Sequence, residues 1–165
     1  MPKNSKILNL TDLTGNVRLV VDEALINELA KVGMKHFPNE FGGFLIGKYS
    51  DDFKTLYIGT YLLPVKFKNS PTLFQRSING IEKKFTKVFE ESQQYYVGEW
   101  HTHPNGSTKY SSTDLHAMNK TVECDTVHIT NPVLLILSIS RDKINDYTFY
   151  YYDTNKLIPY GKKDT

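Results

Sequence analysis

Tyr95-Tyr96-Val97-Gly98-Glu99-Trp100-His101-Thr102-His103-Pro104 is the stretch on which the reading of this chain turns. Side chains of an extended strand alternate between its two faces, so His101 and His103 share a face and both imidazoles point to one spot. A polar loop, Asn105 to Tyr110, leads to Ser111-Ser112-Thr113-Asp114. If Ser111 caps a helix, Asp114 falls in its first turn, where the serine and the carboxylate are neighbours. A carboxylate then reaches the same neighbourhood as the two imidazoles. Two neutral imidazoles and one carboxylate, with a fourth position left for water, make the open tetrahedral site expected of one catalytic zinc ion.

A hydrolytic zinc site also needs a group that takes a proton from water and returns it to the leaving group. Two glutamates compete for that role. Glu99 shares the strand face of the histidines by simple alternation, although an ordinary solvated surface carboxylate is the blander reading of it. Glu40 is distant in sequence but sits beside a Gly-rich strand that could pack alongside, and spacing does not decide between them. Ser111 has two compatible tasks, capping the helix and donating a hydrogen bond to an oxyanion. Ser112 would point aside. His36, His116 and His128 read as surface or packing residues, with His116 nearly opposite Asp114 on the helix. Cys124 reads as a lone buried thiol outside the site.

Outward from this stretch, Val17 to Val21 reads as a strand, and Asp22 is a natural N-cap for a helix to about His36 with Leu25, Leu29 and Val32 as its apolar stripe. Glu40 to Gly47 begins a strand after Pro38. Leu56 to Leu63 is its antiparallel return across a turn with Asp51 and Asp52. Pro64 to Gly80 reads as a long loop carrying one short strand around Leu73 and Phe74, a length that often signals function. Ile81, Phe85, Val88 and Phe89 repeat at helical spacing up to about Gln93. The helix opened by Ser111 contains Leu115 and Met118, and Val122 to Asn131 reads as irregular. Val133 to Ser140 is a buried strand, with Tyr147 to Tyr152 as its partner across a turn near Arg141 and Asp142. Strands joined by hairpins and interleaved with helices imply an α+β sandwich of a mixed or antiparallel sheet with helices on its faces.

Composition bounds the rest. At 165 residues, 39% hydrophobic and 23% charged, the chain can build one core and reads as one globular domain, residues 1–165. Its 20 Lys and Arg against 18 Asp and Glu leave +2, so no global field argues for nucleic acid or an anionic membrane. Met1 to Lys6 and the residues after it contain neither a signal-peptide core nor a spanning helix. One cysteine excludes an internal disulfide, so a cytoplasmic protein is expected. Eleven Tyr and nine Phe agree with strand-rich structure.

The motif resembles the JAMM or MPN+ metalloprotease signature: an upstream Glu, then His-x-His, seven residues beginning with Pro, then Ser-x-x-Asp. Here it reads Glu40, His101, His103, Ser111 and Asp114, and Glu40-Phe41-Gly42-Gly43-Phe44-Leu45-Ile46-Gly47 is similar to the family's Gly-rich strand after its catalytic glutamate. The resemblance, not periodicity, favours Glu40 over Glu99 as the base. It implies an MPN/JAB-like, cytidine-deaminase-like mixed sheet and a zinc-dependent isopeptidase, with Ser111 helping to hold the oxyanion. More narrowly, Ser70 to Ser77, the helix after it and Tyr96 to Pro104 resemble bacterial JAB proteins of CBASS anti-phage operons. That likeness implies cleavage after the C-terminus of a ubiquitin-like protein or of a cGAS-like nucleotidyltransferase joined to a target. The implied partner is a protein with an extended C-terminal tail, not nucleic acid or membrane, and the tail would add as a strand at an exposed edge or at the 64–80 loop. JAB peptidases that trim sulfur carriers and RadC-like proteins share the motif, the latter with an additional region for which this chain has no room. A silent MPN scaffold usually lacks a ligand, and none is missing here.

Overall fold

A computed structural model describes residues 6–12, 14–124 and 128–162. The Met1 to Ser5 stretch, read as carrying no signal peptide, lies outside them, as does part of the segment read as irregular. The described elements are β1 (Ile7–Asp12), β2 (Arg18–Asp22), α1 (Glu23–Met34), β3 (Gly42–Tyr49), β4 (Thr55–Leu62), β5 (Phe67–Ser70), β6 (Leu73–Arg76), α2 (Glu82–Ser92), β7 (Tyr95–Pro104), α3 (Ser112–Glu123), β8 (Val133–Ile139), β9 (Ile144–Tyr152) and β10 (Leu157–Lys162).

The sheet is mixed, as expected, but it does not stay open. Eight strands run β1-β10-β9-β8-β7-β3-β4-β2, and β2 pairs back onto β1 to close a barrel. The β2–β4 and β7–β8 pairs are parallel and the remainder antiparallel. Closure rests on β1 and β10, which the sequence did not announce. β1 alternates Leu8 and Leu10 with Asn9 and Thr11 over a short span, and β10 contains Pro159 and Gly161, residues depleted from strands.

Two apolar layers flank β7 and β8. Leu25, Ile26, Leu29 and Ala30 of α1 share one core with Leu19, Leu45, Leu56, Trp100 and Leu135. Asp22 caps that helix as expected, its carboxylate accepting from the Ala24 N–H at 2.9 Å. On the other face Met118 of α3 is buried with Leu134, Ile136 and Tyr150, and Leu115 packs against them. α2 leans on the same outer side through Phe85, whose ring centroid lies 5.3 Å from Phe44 and 6.0 Å from Tyr96. Helices therefore cover both faces, as the α+β reading requires.

Two local readings are corrected. The 64–80 segment is a two-stranded hairpin and not a loop with one strand: Phe67 pairs with Arg76 and Ser70 with Leu73, and Pro71 stands in the turn, where its missing N–H costs no ladder bond. α3 extends through Val122 to Glu123, taking the first residues of the segment read as irregular.

Candidate metal centre

β7 holds His101 and His103 on the face that α3 covers. A bulge at Val97 resets the alternation, so Glu99, His101 and His103 lie opposite Leu134, Ile136 and Ser138 of β8. The two Nε2 atoms stand 3.1 Å apart. His103 Nδ1 is 2.8 Å from the Ser107 carbonyl. A carbonyl can only accept, so Nδ1 carries the proton and Nε2 presents its lone pair to the centre. The polar loop thus has a task that its sequence did not advertise, because a backbone carbonyl leaves no signature in residue types.

The third group arrives on α3 as the spacing predicts. The Ser111 hydroxyl accepts from the Asp114 N–H at 3.0 Å, and the Ser111 N–H donates to Asp114 Oδ2 at 2.8 Å, a reciprocal capping box. The box points the carboxylate at the imidazoles: Oδ1 is 3.2 Å from His101 Nε2 and Oδ2 is 3.4 Å from His103 Nε2. The three residues are the one such cluster among the described residues, with all ligand atoms within 4.8 Å of one another. Bonds of about 2.0–2.1 Å to a tetrahedral ion place neighbouring ligand atoms about 3.4 Å apart. The two Nε2 atoms at 3.1 Å, with one Asp114 oxygen 3.2 Å from His101 and the other 3.4 Å from His103, come close to that spacing, so the donor set suits zinc.

Burial alone would raise the Asp114 carboxyl, but the adjoining His101 and His103 imidazoles outweigh it and hold the group well below the usual carboxylate range. Burial lowers the His103 imidazole, and the Asp114 and Ser107 contacts more than reverse that, for a net rise. The cluster is an anion facing two imidazoles, which is also the charge arrangement that a divalent cation completes.

Strand register brings Glu40 here. Gly42 pairs with His101 and Gly43 with Trp100, and one step beyond the ladder the Thr102 N–H donates to the Phe41 carbonyl at 2.9 Å while the Phe41 N–H donates to Thr102 Oγ1 at 3.0 Å. Continuing that register sets Glu40 across from His103. The hairpin grips it there: the Glu40 N–H donates to the Ser70 carbonyl at 2.8 Å, and Asn69 Nδ2 donates to the Glu40 carbonyl at 3.0 Å. Glu40 is half-buried. Burial raises its carboxyl above the ordinary glutamate value, the nearby histidines partly oppose this, and Asp114 adds to it. Its carboxylate is therefore more basic than one in water.

Glu99 differs from the solvated carboxylate expected of it. It is 7% exposed and ion-paired to Arg76, with Thr121 Oγ1 3.4 Å from Oε2. Arg76 and Thr121 escaped the sequence reading, since no hairpin was anticipated there and the contact between two segments 45 residues apart leaves no local signature. Ser111 and Thr113 line the cleft together with His101, His103, Asp114 and Glu40; the cleft holds about 640 Å³ and is walled by Pro71 to Arg76 of the hairpin. His116 is exposed, in line with its surface reading, and also borders the cleft. His36 packs, stacked on Phe41 with centroids 3.7 Å apart. His128 borders a second cavity of about 530 Å³ that is lined by Tyr49, Phe53 and Tyr95, at the N-terminal end of β7.

Known proteins resemble this chain in sequence and in fold. The family described as prokaryotic homologs of the JAB domain matches residues 22–150. A protein named CD-NTase/cGAS isopeptidase, from Enterobacter hormaechei subsp. hoffmannii (strain UCI 50), is 32% identical over 120 residues, which cover 72% of this chain and 66% of that protein. The match thus spans just under two thirds of that relative's length. A solution structure from Desulfitobacterium hafniense has a TM-score of 0.62 at 17% identity, covering 84% of this chain and 87% of that one. Another, from Salinibacter ruber (strain DSM 13855), has a TM-score of 0.56 at 16% identity, covering 87% of this chain and 88% of that one. These two likenesses are of fold.

Proposed function

Because this chain belongs to the family of prokaryotic homologs of the JAB domain, we propose that it is a JAMM-type zinc isopeptidase acting in the cytoplasm as a deconjugating regulator of bacterial anti-phage defence. The observation that carries the proposal is the convergence of His101, His103 and Asp114 with Glu40 in one cleft. The name of the Enterobacter relative, CD-NTase/cGAS isopeptidase, supports a cGAS-like nucleotidyltransferase conjugate as the substrate class, and we extend the proposal to a ubiquitin-like protein joined through its C-terminus. No nucleic acid or membrane partner is proposed, and residues 1–165 are read as one catalytic domain.

His101, His103 and Asp114 would hold Zn2+, which when bound supplies Lewis acidity that polarises a carbonyl and acidifies water. Glu40 takes the proton of the attacking water and returns it to the leaving amine. Its raised affinity for protons suits both halves of that transfer. Ser111 uses its oxygen to cap α3 and so keeps its single hydroxyl proton available for the oxyanion. Pro71 to Arg76 form the wall along which an extended tail would run, adding as a strand beside the hairpin. All the groups this chemistry needs are present, which separates the reading from that of a silent scaffold.

The test is zinc analysis together with cleavage of a conjugate bearing a nucleotidyltransferase C-terminal tail, comparing the wild type with Glu40→Ala. About one zinc per chain is expected in both, with cleavage falling at least ~10²-fold in the variant. A zinc-free wild type, or an unimpaired Glu40→Ala, would overturn the mechanism.

A further inference from the structure

The ion pair between Arg76 and Glu99 joins three elements that meet at the cleft. Arg76 ends β6, the second strand of the hairpin. Both its Nε and Nη2 reach Glu99 Oε1, and Nη2 donates to Thr121 Oγ1 at 2.8 Å. Glu99 lies on β7, on the face of His101 and two residues before it. Thr121 lies on α3, two helical turns beyond Asp114, and is buried. The guanidinium also stacks over Phe44, 5.8 Å from the ring centroid. One arginine therefore touches the strand and the helix that carry the metal-site side chains.

The hairpin has a second attachment close to its turn, where Ser70 and Asn69 hold the backbone of Glu40. It also rests on Phe41 through the rings of Phe67 and Phe74, with centroids 5.1 and 5.6 Å away, but β5 and β6 pair with each other and with no strand of the barrel. A two-stranded hairpin is marginal by itself, so its seat over the cleft depends on its anchors. The planar guanidinium is well suited to fix an angle as well as a distance, because two of its nitrogens converge on Glu99 Oε1 while Nη2 also reaches Thr121.

We propose that Arg76 is a positioning residue that, through Glu99 and Thr121, sets the seat of the β5–β6 hairpin over the metal cleft and thereby fixes both the tail-binding wall and Glu40. This rests on the isopeptidase reading only for its catalytic consequence; the mechanical coupling does not depend on it. Removing one partner of a buried pair leaves the other charge uncompensated, which by itself destabilises a fold. The pair is therefore removed in two ways, by Arg76→Met alone and by Arg76→Met with Glu99→Gln, the second leaving no lone charge.

Hydrogen exchange at residues 67–76 is the first readout. Both variants are expected to exchange these amides at least ~10-fold faster than the wild type, while β8 and β9 amides and zinc content stay unchanged. The effects of Arg76→Met and Glu99→Gln should be strongly non-additive, as for groups acting through one contact. The second readout is KM and kcat for a conjugate with a long tail and for a short peptide spanning the scissile bond alone. KM for the long tail should rise about tenfold, with a smaller change for the short peptide. Arg76→Lys should give an intermediate result, keeping the charge without the planar guanidinium. If the double variant restores wild-type exchange, the single variant acted through its lone charge and the coupling is refuted. Unchanged hairpin exchange in both variants, or faster exchange spread evenly over the barrel, refutes it as well. Should the wild type cleave no conjugate, the isopeptidase reading fails while the exchange result still decides the coupling.

Discussion

Gly42 shows how little freedom the residues around the centre have. A Cβ there would lie 2.0 Å from the Trp100 carbonyl oxygen and 2.8 Å from His101 Cα, atoms of the ladder that cannot step aside. Gly42→Ala should therefore force β3 away from β7 at the pair opposite His101, costing at least about 2 kcal/mol. Urea unfolding with and without added zinc measures it, and zinc affinity should fall along with stability; equal stability in variant and wild type would show that β3 yields more easily than the ladder suggests. At this scale the sequence was legible where alternation or helical spacing governed. His101, His103, Ser111 and Asp114 are all separated by short local spacings, and all four meet as read. Glu40 was not decidable from the residues, because its place follows from the register between β3 and β7, which neither strand encodes alone. Glu99 looked exposed for the complementary reason: the arginine that buries its charge comes from a hairpin distant in sequence.

Among the elements, α3 carries most chemistry in its first turn. Ser111 both caps the helix and lines the cleft, and two substitutions separate these duties. Ser111→Ala should lose about 1 kcal/mol of stability with the cap and ~10²-fold in turnover with the donor. Ser111→Asp keeps an acceptor for the Asp114 N–H but has no hydroxyl, so it should retain stability and lose turnover to the same extent. Denaturation midpoints and kcat on a tail conjugate report the two separately; full turnover in Ser111→Asp would leave the cap as the only role. The hairpin is where element-level reading fell short. Phe67 to Ser70 is polar and short, and Pro71 suggested a break, yet a proline in the turn is compatible with strands on either side. The Asp22 and Ser111 caps, by contrast, were visible because a cap is a local event between residues two or three apart.

For the molecule as a whole, both covered faces follow from the pattern of apolar residues, and closure does not. Val133 to Ile139 reads as buried on both sides and is. β1 and β10 read as nothing in particular, since a strand at a seam is defined by its partners more than by its own residues. The seam should nonetheless matter for stability and not for chemistry. Leu10 is 3% exposed and belongs to the main core, so Leu10→Ala should cost about 2–5 kcal/mol. Zinc stoichiometry of the folded variant, measured by metal analysis, should stay at the wild-type value. A loss of zinc in the folded protein would mean that seam and centre are coupled.

The same seam has a consequence for the order of events as the chain is made. Among the described strands β1 is the first and β10 the last, and they are neighbours in the closed barrel. Domains form progressively as synthesis proceeds from the N-terminus, and contacts between the two ends are the slowest kind to establish. Glu40, His101, His103 and Asp114 all precede β8, so every side chain of the centre has been synthesised before the last strand exists. The residues of the candidate centre are thus complete in the nascent chain while the edge of β1 that Leu157–Lys162 will cover is still unpaired.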